Sequence, residues 1–399
     1  MVWLTHLIFL SFLHLFRCDC VLNHQSLEEA WEKQLHKDLM KGYDWSENPN
    51  TCNVTEVKIK FLMKSFNLDS DTEIFTMYSI MIVSWTDERL KWNPSDYGGL
   101  TESYFFKMEH WVPFVEWISR TDFDFGLYYD ECNVENTGYV VCSPRVLVET
   151  QCTTKMSNWP YDTQTCTLDF TISEYQKDVH LIPKGKRAVS MGGAGYGPEF
   201  TIVDYHQVSN TSDKVQLRMT FVLDRNGEHL ASVIVFPAIL LSILTASSII
   251  LDVSDRKRLL MILFSMLCHC FYLSEMGWEI PKHSVEPPTI LLFYRSSMLL
   301  TMFLVFATVI LGKLRNKETA PPAWVSSVYS IVLNSHGKYF IWPRWKTNIE
   351  LLTSEDDDVK SVEVWNGFAN IVNSVCFFFS VIVYSIMIPM CVPKQQPFT

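Results

Sequence analysis

The chain has 399 residues, 48% of them hydrophobic and 14% aromatic, and a net charge of −11. That length allows two domains. The apolar content excludes a disordered chain, and the acidic balance excludes a nucleic-acid binder, which would carry a basic surface.

Leu4 to Phe16 form an apolar run ahead of Arg17. A membrane span needs about 20 residues, so the run reads as a signal peptide within residues 1–20, cleaved near Cys18 to Cys20. Residues 24–48 are predicted helical, with Leu27, Trp31, Leu35 and Leu39 at helix spacing. From Thr55 to about Phe221 the pattern changes to short alternating segments, such as Val57 to Phe61 and Gln216 to Phe221, punctuated by turn clusters such as Asn93 to Gly99. This predicts an antiparallel β-sandwich. Met191 to Gly197 is glycine-rich but lacks the Lys-Ser/Thr ending and the strand-to-helix setting of a phosphate loop.

Of the eleven cysteines, Cys52, Cys132, Cys142, Cys152 and Cys166 fall in this half. An oxidising compartment allows them to pair, although spacing alone does not fix connectivity. Cys152 and Cys166, with thirteen residues between them, bracket Asn158-Trp159-Pro160-Tyr161-Asp162 and can close a small loop with a rigid tip. Cys132 and Cys142 flank Asn136-Thr137-Gly138, a hairpin turn signal, and form a candidate second bridge, which leaves Cys52 over. Asn53-Val54-Thr55 and Asn210-Thr211-Ser212 are glycosylation triplets, making Asn53 and Asn210 candidate acceptors on a lumenal domain.

Four later runs are long and apolar enough to span: Leu230–Leu251, Leu259–Trp278, Ile290–Leu311 and about Phe368–Met390. Arg256, Lys257 and Arg258 follow the first, and Lys313, Arg315 and Lys317 follow the third. The positive-inside rule places both groups in the cytoplasm. The expected division is a signal peptide (1–20), an extracellular β-sandwich domain (21–228), three transmembrane helices (229–312), a cytoplasmic loop (313–365), a fourth transmembrane helix (366–391) and an extracellular tail (392–399). The loop carries the acidic run Glu355 to Asp358, whose flank Val359–Ile371 reads as an amphipathic helix leading into the fourth span.

Several motifs make the chain resemble the Cys-loop (pentameric ligand-gated ion channel) receptors, and within them the nicotinic acetylcholine receptor branch. Trp85 to Pro94 is similar to the family's Trp-x-Asp-x-x-Leu-x-Trp strand and turn, and Trp111-Val112-Pro113 to its Trp-x-Pro segment. Cys152 to Cys166 is similar to the signature loop. Arg225 falls at the arginine before the first span, and Phe236-Pro237 with Leu241 to Thr245 resembles the first span of the nicotinic branch. Pro281, Ser284 and Pro288 match the linker between spans two and three. The resemblance covers about 24–395.

It implies a β-sandwich followed by a four-helix transmembrane bundle, five subunits around a pore lined by the second span, and a disulfide between Cys152 and Cys166. It implies a gating-coupling group of Asp162, Arg225, Pro160 and Pro288, with an Asp162–Arg225 ion pair and Asp69 or Asp71 as other acidic candidates. The pore-lining positions become Leu260, Phe264, Leu267, Phe271 and Ser274, a face that is almost wholly apolar. Alternatively, the polar residues Ser265, Cys268, His269, Tyr272 and Glu275 turn toward the lumen, although a histidine satisfied between helices is the blander reading of His269. Lys257 and Arg258 stand where cation-selective members carry glutamate and lysine, and Glu275 and Glu279 form candidate outer rings.

At the ligand site the chain departs from the nicotinic pattern. The aromatic positions fall on Ser173, Ile118 and Ile80, the aspartate beside Trp-x-Pro on Phe114, and no adjacent cysteine pair follows Glu199-Phe200, which points to a non-alpha type. Trp117, Tyr175 and Tyr205 are the remaining ligand-binding candidates, with Tyr196 nearby. The sequence thus predicts a subunit of a neurotransmitter-gated ion channel at the plasma membrane, with the postsynaptic membrane as a candidate location. Its expected partners are other subunits in a pentamer, hetero favoured over homo, with a modulatory role. A non-conducting accessory or scaffold subunit, or an anion- or proton-gated member, is the alternative. No metal-ligand spacing, nucleophile elbow or phosphate loop points to an enzyme or a cofactor.

Overall fold

A computed structural model describes residues 27–393 apart from 51–52, 107–108, 119–128, 130, 177, 213–214, 281–285, 316, 318, 336–338, 340 and 342–356. The signal peptide, Cys52, Pro281, Ser284, Glu355 and Asp356 lie outside the described residues. The chain divides into two compact units. One takes the chain up to Thr153 together with Gln164–Asp224; the other takes Thr154–Thr163 and everything from Arg225 onward.

The first unit opens with helix α1 over 27–39. Its buried anchor is Leu35, and His36 stacks on Phe105 at 4.1 Å. The helix is shorter than the 24–48 periodicity predicts, because the chain turns through Gly42, whose φ of +85° is left-handed backbone. Strands follow: β1 (Thr55–Asp69), β2 (Ile74–Lys91), β3 (Glu102–Phe106), β4 (Val115–Trp117), β5 (Glu131–Glu135), β6 (Thr137–Cys142), β7 (Arg145–Thr153), β8 (Thr163–Ile172), β9 (Val179–Pro183), β10 (Val189–Ser190), β11 (Phe200–Ser212) and β12 (Val215–Arg225).

Hydrogen bonding links them in the order β11-β12-β8-β7-β2-β6-β5-β3, with β1 on β2 and β4 on β8. The pairings are antiparallel except where β1 meets β9 and β10. Alternation explains the sandwich: β1 turns Val57, Ile59, Phe61 and Met63 inward, and β2 turns Phe75, Met77, Met81, Val83 and Trp85 onto the same core. A bulge in β1 between Met63 and Ser65 shifts the register against β2. It leaves Lys64 and Ser65 both facing outward before Phe66 resumes the inward row.

The second unit contains α2 (Glu228–Ser248), α3 (Arg256–Glu279), α4 (Thr289–Arg315), α5 (Ala323–Asn334) and α6 (Asp357–Cys391). Four of these, α2, α3, α4 and the Ser361–Cys391 part of α6, are long and apolar enough to cross a membrane. The boundary expected at 366 falls inside one continuous helix from Asp357, in line with the helix expected over 359–371 leading into the fourth span. Helix α5 lies within the stretch expected as a cytoplasmic loop; it starts directly after Pro321-Pro322 and buries Val325 and Tyr329, four residues apart.

The interior of the helical unit is stitched by hydroxyls. Thr245 Oγ1 of α2 lies 2.7 Å from Ser265 Oγ of α3. His269 Nδ1 lies 2.7 Å from the Ser265 carbonyl and Nε2 lies 2.7 Å from Ser297 Oγ of α4. Ser297 Oγ in turn lies 2.9 Å from Tyr384 Oη of α6. A carbonyl only accepts, so a neutral His269 donates from Nδ1, accepts from Ser297 and leaves Ser297 to accept from Tyr384. One chain of hydrogen bonds thus spans four helices, the kind of polar joint that holds helices together where lipid removes the hydrophobic drive.

Candidate coupling loop and pore face

Strands β7 and β8 are closed by Cys152–Cys166, a bonded pair opposite one another in the ladder, with the sulfurs 2.04 Å apart. Closing a loop of this size removes about 3 kcal/mol of unfolded-state entropy. The tip, Thr154–Thr163, is built into the helical unit. Trp159 and Tyr161 donate backbone N–H bonds to Met156 and Asn158, and Asn158 Nδ2 donates to the Tyr161 carbonyl. The turn so formed presents Met156 and Trp159, each 1% exposed, to an apolar cluster containing Ile234 and Ala238 of α2 and Ile290 and Phe293 of α4. The Trp159–Pro160 peptide is cis. Thr289, the first residue of α4 and next to buried Pro288, donates both its N–H and its hydroxyl to the Ser157 carbonyl at 3.1 and 3.0 Å.

Asp162 ends the tip, and Arg225 stands three residues before α2. Arg225 Nε donates to Asp162 Oδ1 at 2.7 Å and Nη2 to Oδ2 at 3.2 Å, while the Arg225 N–H donates to the Asp162 carbonyl at 3.1 Å. Both side chains are buried, 3% and 0% exposed. Bidentate geometry suits a guanidinium to a desolvated carboxylate. Asp69 instead accepts N–H bonds from Asp71 and Thr72, which hold its carboxyl below the usual range. Gly227 fits beneath Pro160: a Cβ there would lie 2.0 Å from the Pro160 carbonyl oxygen. Met156, Gly227 and Thr289 lie outside the residues that the sequence marks, whereas Trp159 lies within the marked loop. The apolar Trp-Pro-Tyr within the loop was the available signal.

The second bridge joins Cys132 to Cys142 across the β5–β6 hairpin. His110 packs here, 2% exposed, between Trp85 and Phe105. Burial pushes its imidazole down to about 4, against the opposing pull of Asp87. Its ring lies within 4.8 Å of both sulfurs, but these are bonded to each other and supply no thiolate. Asp87, wholly buried, accepts from Tyr43 Oη at 2.6 Å and from Arg89 Nε and Nη2 at 2.9 and 2.8 Å.

On α3 the side chains sort into two faces. Leu260, Phe264, Leu267 and Phe271 are 60–69% exposed, and Ser274, Glu275 and Glu279 continue along the exposed surface. The inward face is Arg258, Ile262, Ser265, His269 and Met276. The alternative in which the polar stripe turns outward is therefore corrected for Ser265 and His269, which are held by the hydroxyl chain. Lys257 is exposed, and its N–H is capped by Asp255.

Arg258 does not stand at an exposed mouth, and that expectation is corrected. It is wholly buried, donating to Asn373 Oδ1 at 2.6 Å, Thr308 Oγ1 at 3.2 Å and the Leu251 carbonyl at 3.3 Å. Helical spacing puts it on the face of Ile262, one turn on and inward-facing. Nearby, Asp252 bonds Arg315; burial pushes its carboxyl up, but the Ser254 N–H and Arg315 hold it below its ordinary value.

Of the ligand candidates, Tyr205 is corrected. It packs in the sandwich core against Phe221 at 5.2 Å and donates to Gln207 Oε1 at 2.8 Å. Trp117 of β4 is half-buried against the core, and Tyr175 is 97% exposed. Asn53 is exposed, and Asn210 lies on β11.

Residues 32–227, just under half of the chain, match the neurotransmitter-gated ion-channel ligand binding domain. The chain is similar to acetylcholine receptor subunit alpha-1-B of Xenopus laevis, with 24% identity over 75% of this chain and 68% of the relative. It is similar to acetylcholine receptor subunit beta-type lev-1 of Caenorhabditis elegans, with 22% identity over 83% and 66%. Acetylcholine receptor subunit epsilon of Xenopus laevis is 31% identical over 41% and 34%. These relatives are receptor subunits rather than enzymes. With the sandwich, the four membrane-length helices and the disulfide-closed loop, these similarities support a Cys-loop, nicotinic-receptor-like, ligand-gated channel subunit that crosses the membrane several times and has an extracellular N-terminal domain.

Proposed function

We propose that the chain is one subunit of a hetero-pentamer in the plasma membrane, at a postsynaptic site, where ligand binding to the sheet unit opens a central pore lined by α3, and where this subunit modulates rather than dominates the response. The observation that carries the reading is the loop 152–166. Its base is clamped by a disulfide in the sheet unit, and its tip is packed and ion-paired in the helical unit. A covalently closed lever of this kind is how a change at a ligand would reach the spans.

The modulatory role follows from two departures. The aromatic cage that attracts a quaternary ammonium lacks its members at Ser173, Ile118 and Ile80, which disfavours this chain as the acetylcholine-binding partner. The exposed face of α3 is apolar from Leu260 to Phe271, and an apolar constriction blocks ions by dewetting. That second observation also favours another reading, a non-conducting accessory subunit.

Voltage clamp of cells expressing the chain at the surface, alone and with nicotinic-type partner subunits, under a panel of transmitters and protons, tests both. A changed conductance or agonist response in mixed receptors supports the first reading. Surface assembly with unchanged currents supports the second.

A further inference from the structure

The β5–β6 hairpin gathers three metal-ligating side chains at one buried place. Cys132 and Cys142 are direct partners across the hairpin, and Phe105 of β3 is the partner of Cys132 on its other side. On β2, Val83 pairs with Cys142 and Trp85 with Val140. His110 follows β3, and its ring lies parallel to Trp85 at 6.3 Å and across Phe105 at 6.0 Å. Backbone ladders place the two cysteines and two aromatic rings place the histidine. None of these supports depends on a bond between the sulfurs.

The ring of His110 supplies a second, independent observation. The residue is 2% exposed, yet neither Nδ1 nor Nε2 has a hydrogen-bond partner among the described residues. Buried polar atoms are nearly always bonded, and an orphan calls for an explanation. A ring nitrogen and both sulfurs lie within 4.8 Å of one another. With Zn–S near 2.3 Å and Zn–N near 2.0 Å, the ligands of a tetrahedral zinc stand roughly 3.5–3.8 Å apart. Sulfurs released from their bond move apart toward that spacing. Two thiolates also cancel the charge of a divalent cation where no water solvates it. The other bridge, Cys152–Cys166, has no such third ligand beside it among the described residues.

We propose that His110, Cys132 and Cys142 form a zinc site in the reduced chain, so that this position either holds a metal or closes a disulfide, never both. Zinc binding displaces one proton from each thiol and takes the neutral imidazole as third ligand, with water as the fourth. Closing the bridge reverses it. An external disulfide, of the thiol-oxidoreductase class, accepts two electrons from the two thiolates and becomes two thiolates itself, while the Cys132–Cys142 bond forms and Zn²⁺ leaves. A newly made chain carries both cysteines as thiols, so the site needs no added reductant to exist. The orphaned imidazole is what remains of it once the bridge has closed. This inference stands apart from the channel reading and concerns how the sheet unit is completed.

The test uses the purified full chain in nanodiscs, reduced with a phosphine and desalted without oxygen. Zinc is titrated against a chelating dye, and the loaded sample is read by X-ray absorption at the zinc edge. The reduced chain is expected to hold one zinc more than the oxidised chain, with both sulfur and nitrogen neighbours. His110→Phe keeps an aromatic ring between Trp85 and Phe105. It is expected to weaken binding at least about 100-fold, since losing even an outer-shell partner costs roughly 10–100-fold. Zinc is further expected to slow closure of the Cys132–Cys142 bridge by oxidised glutathione in the wild type and not in His110→Phe. The absorption spectrum needs no variant, so the proposal can fail even if the substituted chain does not fold. No extra zinc in the reduced chain, a shell of sulfur alone, or equal affinity in His110→Phe overturns it.

Discussion

The two units are built in opposite senses. The sheet unit buries Phe61, Phe75, Trp85, Phe170 and Phe221 and turns lysines and glutamates outward. The helical unit buries Thr245, Ser265, His269, Ser297, Thr301 and Arg258 and turns Phe303, Phe306, Phe379 and Ile382 outward. The contrast teaches where each solvent lies. Water rewards the first arrangement, whereas hydrocarbon rewards the second, since an unpaired polar group facing lipid has nothing to bond. Each unit nevertheless holds an exception: Asp87, His110 and their neighbours inside the sandwich, and the Asp162–Arg225 pair where the tip joins the helices.

Those exceptions are where the comparison is easiest to break. Asp162→Ala leaves Arg225 buried without its carboxylate, and stability is expected to fall by about 3–5 kcal/mol, read as a lower melting temperature and reduced surface expression. If Asp162→Arg with Arg225→Asp recovers nothing over either single change, the pair is not a direct one.

His110 makes the next largest effect. Its folded value of about 4 lies below the ordinary 6.5, so the unfolded chain takes up its proton first. The stability from a neutral His110 is complete above pH 6.5 and is lost as pH falls from there toward 4, by up to about 3 kcal/mol. Melting temperatures followed from pH 7 to 4 should fall less steeply in His110→Phe than in the wild type.

Gly227→Ala forces a methyl against the Pro160 carbonyl. Overpacking of this kind costs about 1–3 kcal/mol, and faster proteolysis within 154–163 should accompany it. An unchanged melting curve would show that the tip is free to move aside. Phe264→Ser sits on the exposed face of α3 and should change stability by less than about 0.5 kcal/mol. Its expected effect is a larger current in mixed receptors. Unchanged current and gating would mean that this face does not line the pore.

Much of this architecture could be read from the residues. The alternation in β1 and β12 and the length of the apolar runs give the sandwich and the spans, because periodicity and span length are local properties. The loop 152–166 was equally visible, since its cysteines and Trp-Pro-Tyr-Asp lie within one short segment. What could not be read depends on distant neighbours. Arg258 looks like a third base at a helix start until Thr308 and Asn373, 50 and 115 residues away, are placed beside it. Tyr205 looks like a binding aromatic until Phe221 covers it. Lys64 gains its position from a bulge that no composition rule marks.

The helical unit is assembled from two pieces of chain that emerge from the ribosome at different times. Residues 154–163 are made well before α2 and α4, so Met156 and Trp159 are synthesised ahead of the surfaces that will cover them. During that interval two large apolar side chains sit at the end of a hairpin in an aqueous compartment. Burial of Met156 and Trp159 therefore waits until α2 and α4, which come later in the chain, are in place to cover them. Quality control has a natural target there: a subunit whose tip still shows Trp159 is one that has not finished folding.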